Sequence, residues 1–118
     1  FLGDSVLSIV VSDHIFEHYK HMPEGELTKM RASLVCEKAL FEFSKKIELG
    51  KYIFLGKGEE ITGGRERPSI ISDAFEAVIA AIYLDGGIEP VSKYILSYLK
   101  ISRLMELFSM ITRLFFRR

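Results

Sequence analysis

Apolar residues recur at spacings of three and four along most of the chain, a period that predicts helices nearly throughout. From Asp4 to Tyr19, the positions Val6, Leu7, Val10, Val11, Ile15 and Phe16 form one stripe, and the segment stops at HMPEG. A second run, from about Glu26 to Lys46, carries Leu27, Met30, Leu34, Val35, Leu40 and Phe43 on one face and charge on the other. Leu49 to Leu55 is too short to assign. The stretch GKGEEITGGRERP, Gly56 to Pro68, is dense in glycine and charge and reads as a loop. Ser69 to Asp85 is an apolar helix closed by Gly86 and Gly87. Glu89 to Lys100 is a further amphipathic helix with Pro90 in its first turn. There is no alternating strand of useful length and no internal repeat, so the predicted class is all-α.

The chain has 118 residues, enough for one domain or part of one, and 48% of them are apolar. With both charge signs plentiful, this is the composition of a packed core rather than of a disordered chain. No stretch approaches the roughly 18 uncharged apolar residues of a membrane span. The start has no basic region or cleavage pattern of signal-peptide type, and a cytoplasmic location is expected. Cys36, the single cysteine, has no partner for an intrachain disulfide; within SLVCEKAL it reads as a small buried hydrophobe without a role. The net charge of zero hides a split: residues 1 to 100 carry 12 basic and 15 acidic side chains, residues 101 to 118 carry 4 and 1. The body therefore lacks the clustered Lys and Arg that phosphate contacts require, and contact with a nucleic acid would have to be local or assisted by metal ions.

Chemistry enters with the carboxylates. Asp73 and Glu76 stand three apart on a helix, on one face and about one turn from each other. Their neighbours Ala74, Phe75, Ala77 and Val78 point to a helix largely surrounded by protein. Like charges held this close raise a pKa unless a divalent cation neutralises them. An oxygen-only donor set favours magnesium or manganese over zinc. By itself the pair is more simply a helix cap, Asp73, and a side chain reaching for water, Glu76. Asp4 shifts that balance, because it too begins an apolar helix, and packing the two helices side by side would gather three carboxylates around one point. His14, His18 and His21, four and three apart, would make at most a weak metal-binding face and read as surface residues.

The sequence FLGDSVL, followed in order by EGELTKMRASLV, LGKGEE and SDAFEAVIAAIYLDGG, resembles the catalytic domain of bacterial ribonuclease III over roughly residues 1 to 100. The resemblance implies an all-helical, homodimeric, magnesium-dependent endonuclease, with manganese as a substitute ion. It would hydrolyse double-stranded RNA to staggered ends with 3′ overhangs. Asp4, Asp73 and Glu76 match the catalytic metal ligands, and Glu24 in EGEL matches a residue that supports the metal through its hydration shell. Phe1 matches an aromatic that enters a socket on the partner subunit, with Leu2 beside it at the dimer interface. Carboxylate-held magnesium lowers the pKa of a bound water and orients it for in-line attack on phosphorus. Lys57, Arg65 and Arg67, just ahead of the acidic helix, are the candidates to meet RNA phosphates, against the simpler reading that they are solvated. Little base specificity is expected, since RNA duplexes are recognised mostly by shape and by backbone contacts.

Two departures qualify the match. A family glutamate that ligates the metal immediately precedes the phenylalanine of FLGD, and it falls upstream of Phe1 together with the family's first helices. Residues 1 to 100 therefore read as an N-terminally truncated catalytic domain with three of four ligands, expected to cleave poorly. Residues 101 to 118, ISRLMELFSMITRLFFRR, do not continue into a double-stranded-RNA-binding domain. Leu104, Leu107, Phe108, Ile111, Leu114 and Phe115 form a stripe ending in a basic cluster, read as a covering helix in preference to a membrane-surface or partner helix. The alternative function is an inactive relative that retains dimerisation or RNA contact. A carboxylate-bridged metal protein outside the family would normally carry Glu-x-x-His motifs, and none is present.

Overall fold

The computed structural model describes residues 1–99. Their order is α1 (Leu2–His18), α2 (Glu24–Val35), α3 (Glu37–Lys46), α4 (Lys57–Ile61), α5 (Pro68–Gly86) and a helix α6 over 88–99. There is no strand among the described residues, in agreement with the all-α expectation. No helix among them is long and apolar enough to cross a membrane. The apolar tail stripe from Leu104 to Phe115 lies outside the described residues.

The core forms where the periodicity places it. From α1 come Val6, Leu7, Val10, Val11 and Ile15, from α5 Phe75 and Ile79, and from α6 Val91, Ile95, Tyr98 and Leu99. Phe43 of α3 joins the two sides, its ring 5.2 Å from that of Phe75 at 74° and 4.7 Å from that of Tyr98. Edge-on pairs of this kind add to the area they bury. α5 starts with Pro68 in its first turn, where a missing N–H costs nothing. It ends at Gly87, whose φ of +84° suits glycine and whose amide donates to the Tyr83 carbonyl at 2.8 Å.

Three expectations are corrected. Phe16 is not part of the buried stripe and is 60% exposed, as is Ile9. One step of 100° beyond Ile15 carries Phe16 off the core-facing arc. The single helix expected over 26–46 is two helices, broken at Cys36, whose ψ of 161° is extended. An unbroken helix of that length would run straight for about 30 Å. The break instead lets α2 lie on α1 and α3 on α5, so that Leu34 and Leu40 both reach the core. Local bonds support it: Ser33 Oγ donates to the Met30 carbonyl at 2.7 Å, and the Cys36 thiol lies 3.7 Å from the Ser33 carbonyl. At this corner Cys36 is exposed, not buried.

The glycine-rich segment from Gly56 to Pro68 is more ordered than a loop. It holds α4 and a 3-10 turn, Gly64–Glu66, and the unassigned stretch before it contains another, Leu49–Tyr52. Arg65 ties the two parts together, donating from Nη1 to the carbonyls of Gly50 and Ile53, each at 2.8 Å, and from Nε to Glu60 at 2.8 Å.

Candidate functional site

The N-terminal end of α1 meets α5 at Gly3, which is buried against the backbone of Glu76. A Cβ at Gly3 would overlap the Glu76 carbonyl, lying 2.6 Å from its carbon. Only glycine permits this approach, and it brings the next residue, Asp4, into the electrostatic neighbourhood of Glu76. Asp73, one turn earlier on α5, flanks Glu76 from its own helix. Asp4 and Asp73 are exposed and Glu76 is half-buried. Partial burial raises the Glu76 carboxyl above its ordinary range, and the charges of Asp4 and then Asp73 push it further. The Phe1 amino terminus opposes them. Glu76 thus feels the charge of both Asp4 and Asp73.

Among the described residues, no three His, Cys, Asp or Glu side chains close on a single point as a ready-made cage. The donor set is oxygen only and its central carboxylate is under-compensated, a combination that fits a hard divalent cation. Magnesium usually keeps several of its waters and is held by one or two carboxylates, so an open acidic site of this kind fits it better than a closed one would.

Beside the acids runs an open cleft lined by Phe1, Leu2, Gly3, Asp73, Glu76 and Leu84. Phe1 is fully exposed and Leu84 is 72% exposed. Phe1 and Leu2 therefore border the carboxylates, and Leu2, half-buried, also packs against the core.

The other sequence-derived candidates lie elsewhere. Glu24, the first residue of α2, lines a different groove with Ser12, Asp13, Phe16, Thr28 and Arg31. Asp13 is nine residues beyond Asp4 on α1, about 13 Å along the axis, so within one chain Glu24 does not join the three acids. Arg65 is committed to the carbonyls it staples, and Arg67 donates to Glu59 Oε2 at 2.7 Å and to Thr62 Oγ1 at 3.0 Å. Of the three proposed phosphate contacts, only Lys57, exposed at the start of α4, stands outside such pairings. The residue that sequence reasoning missed is Gly3. A glycine inside an apolar helix costs roughly 1 kcal/mol against alanine, and that cost is the signal that it serves a close approach.

The fold is an all-helical domain with an acidic crossing between α1 and α5, and comparison with known proteins identifies the group. The family model described as ribonuclease-III-like matches residues 1–102. The chain is 60% identical over 96 residues to ribonuclease 3 of Clostridium beijerinckii, covering 81% of this chain and 41% of that protein. It is 55% identical over 100 residues to ribonuclease 3 of Syntrophomonas wolfei, covering 85% and 43%. Among solved structures, the nuclease domain of ribonuclease III from Campylobacter jejuni, which has a region involved in dimer formation, superposes with a TM-score of 0.83 at 42% identity. That match covers 85% of this chain and 70% of the other. The chain belongs to the ribonuclease-III-like family, and it spans about two-fifths of the length of these curated relatives.

Proposed function

We propose that this chain is the catalytic portion of a magnesium-dependent endonuclease of double-stranded RNA, working as a homodimer and leaving staggered ends with 3′ overhangs. The observation that carries the reading is the crossing at Gly3, which sets Asp4 and Asp73 around the charge-strained Glu76. In this reading Asp4, Asp73 and Glu76 hold the ion, directly or through its waters, and Glu24 contributes from the periphery. A bound magnesium supplies a more acidic water and charge stabilisation for the departing oxygen. The chain's own residues fix where that charge sits. Lys57 meets a backbone phosphate, while Arg65 and Arg67 hold the segment that presents it. Exposed Phe1, with half-buried Leu2 beside it, covers itself against a second subunit.

The open geometry of the acids favours one competing reading, a relative that binds RNA or dimerises without cutting. Calorimetric titration with magnesium or manganese, alongside cleavage of a duplex RNA by this chain and by one extended upstream, tests both. The nuclease reading expects ion binding that is lost in Asp73→Asn and Glu76→Gln, with cleavage appearing or rising in the extended chain. Ion binding indifferent to both substitutions, or no cleavage by either chain, would support the competing reading.

A further inference from the structure

Ile9, Asp13 and Glu17 of α1 line one groove together with Ile88, Ser92 and Leu96 of α6. Within each set the residues are four apart, so each set is a single ridge of its helix, and the groove between them runs for about 12 Å. Its apolar members are only partly covered: Ile9 is 60% exposed and Ile88 48%. Asp13 and Glu17 are exposed on the α1 wall, and the ion pair of Glu17 with Lys20 is loose at 3.7 Å. No Lys or Arg among the described residues lines the groove. Such a surface suits an occupant that is apolar on one face and cationic at its edges.

Residues 101–118 lie outside the described residues, and their sequence has that character, with 4 basic side chains against 1 acidic. In a helix, Leu104, Leu107, Phe108, Ile111, Leu114 and Phe115 would share one face. Arg103, four before Leu107, would begin that face, and Arg118, three beyond Phe115, would continue it. Leu104 to Phe115 would cover about 17 Å of helix, enough to span the groove. The segment starts two residues after Leu99, which is buried one turn beyond Leu96. Attachment this close to the groove holds the segment at high effective concentration, so a modest contact suffices to seat it.

We propose that residues 101–118 fold back as an amphipathic helix into the groove between α1 and α6. The apolar stripe lies against Ile9, Ile88 and Leu96, and the arginines at its ends lie beside Asp13 and Glu17. Those arginines are then engaged with carboxylates of the protein and not with RNA phosphates.

Nuclear resonance on the full chain, labelled at the methyl groups of Ile and Leu, tests this. The expected result is cross-peaks from Leu104, Leu107, Ile111 or Leu114 to Ile9, Ile88 or Leu96, with amide exchange over 104–115 slowed at least about 100-fold relative to an unstructured chain. At least about ten-fold of that slowing should be lost in Ile88→Glu, and again in the double variant Asp13→Lys with Glu17→Lys. It should be kept in Ile61→Glu, which alters an exposed apolar residue of α4 away from the groove. Exchange indifferent to the groove variants would overturn the proposal. Cross-peaks seen only between differently labelled chains in a mixed sample would overturn it in favour of a second copy. Absent groove cross-peaks would overturn it as well, and if the 101–118 resonances then shift with duplex RNA, the segment is an RNA-binding arm instead. Should a variant unfold, the cross-peaks of the unsubstituted chain decide.

Discussion

Gly3 and Glu76 touch backbone to backbone, and the crossing of α1 with α5 is set by that contact. In an exposed helix, replacing glycine with alanine stabilises by roughly 1 kcal/mol. Here the added methyl meets a carbonyl that belongs to another helix and cannot rotate away. Gly3→Ala is therefore expected to destabilise by about 1–3 kcal/mol, the range for overpacking, and to weaken ion binding as Asp4 is levered away from Glu76. Urea unfolding checks the first effect and calorimetry the second. An alanine variant as stable as the parent would remove the close-approach argument.

Glu76 links the site to pH. Burial first, then Asp4 and Asp73, hold its carboxyl above the usual 4.5. A group raised in the folded state contributes stability that is present below its unfolded value and is lost as pH rises through its folded value. At neutral pH without divalent ions the charged form is thus a burden, and Glu76→Gln should melt at a higher temperature than the parent. The gap should narrow as pH falls below 4.5. Magnesium should raise the midpoint of the parent and leave the glutamine variant nearly unmoved, since binding to the folded state alone stabilises it. Melts with chelator and with magnesium, at neutral and acid pH, measure all three. A glutamine variant that melts below the parent in chelator at neutral pH would contradict the sign.

The helical class and α1, α5 and α6 were legible because their apolar stripes are long and end at strong stops such as HMPEG and Gly86–Gly87. The break at Cys36 was not, because the period of three and four continues across it. What splits α2 from α3 is the need to cover two different helices, a tertiary demand with no local signature beyond Ser33 and Cys36. Spacing and resemblance singled out Asp4 and Asp73, whose charges act on Glu76. The commitments of Arg65 and Arg67 were not, because their partners, Gly50, Ile53, Glu59 and Thr62, are reached only through the fold.

Those commitments separate stability from RNA contact. Arg65→Ala removes charge-assisted bonds to two carbonyls and should cost about 1.5–3 kcal/mol in unfolding free energy. Lys57→Ala should leave stability within about 0.5 kcal/mol. In the reading proposed above it should weaken duplex RNA binding and reduce the magnitude of the slope of log affinity against log salt by about 1. Filter binding across a salt series, paired with denaturant unfolding, reads both. A stable Arg65→Ala that binds RNA less tightly would reassign Arg65 to the phosphate-contacting group.

Tyr98 carries a defect inside the core. Its ring packs against Phe43 and Phe75, while its hydroxyl is buried with no hydrogen-bond partner among the described residues. Burial pushes ionisation of that hydroxyl far above its ordinary range, with a lesser contribution from Cys36. An unsatisfied buried hydroxyl costs about 1–3 kcal/mol, so Tyr98→Phe should stabilise by roughly 1 kcal/mol while keeping the ring contacts. Chemical denaturation resolves a change of that size. A loss of stability would mean that the hydroxyl is satisfied in solution.

Phe1 and Leu84 are exposed in the cleft beside the acids, which Ala77, Ala80 and Ala81 also line. Large apolar side chains around small ones leave a surface that can interlock with another subunit, and water is a poor solvent for it. If this face closes the homodimer, Leu84→Glu places a charge in the contact without touching the core. The dimer dissociation constant should rise at least about ten-fold, ~1.4 kcal/mol. Phe1→Ala should act in the same direction through lost apolar area. Sedimentation equilibrium over a concentration series measures both constants, and circular dichroism verifies that helicity is kept. A dimer with unchanged affinity in both variants would place the interface elsewhere, and the exposed Ile9 and Phe16 of α1 would be the next residues to substitute.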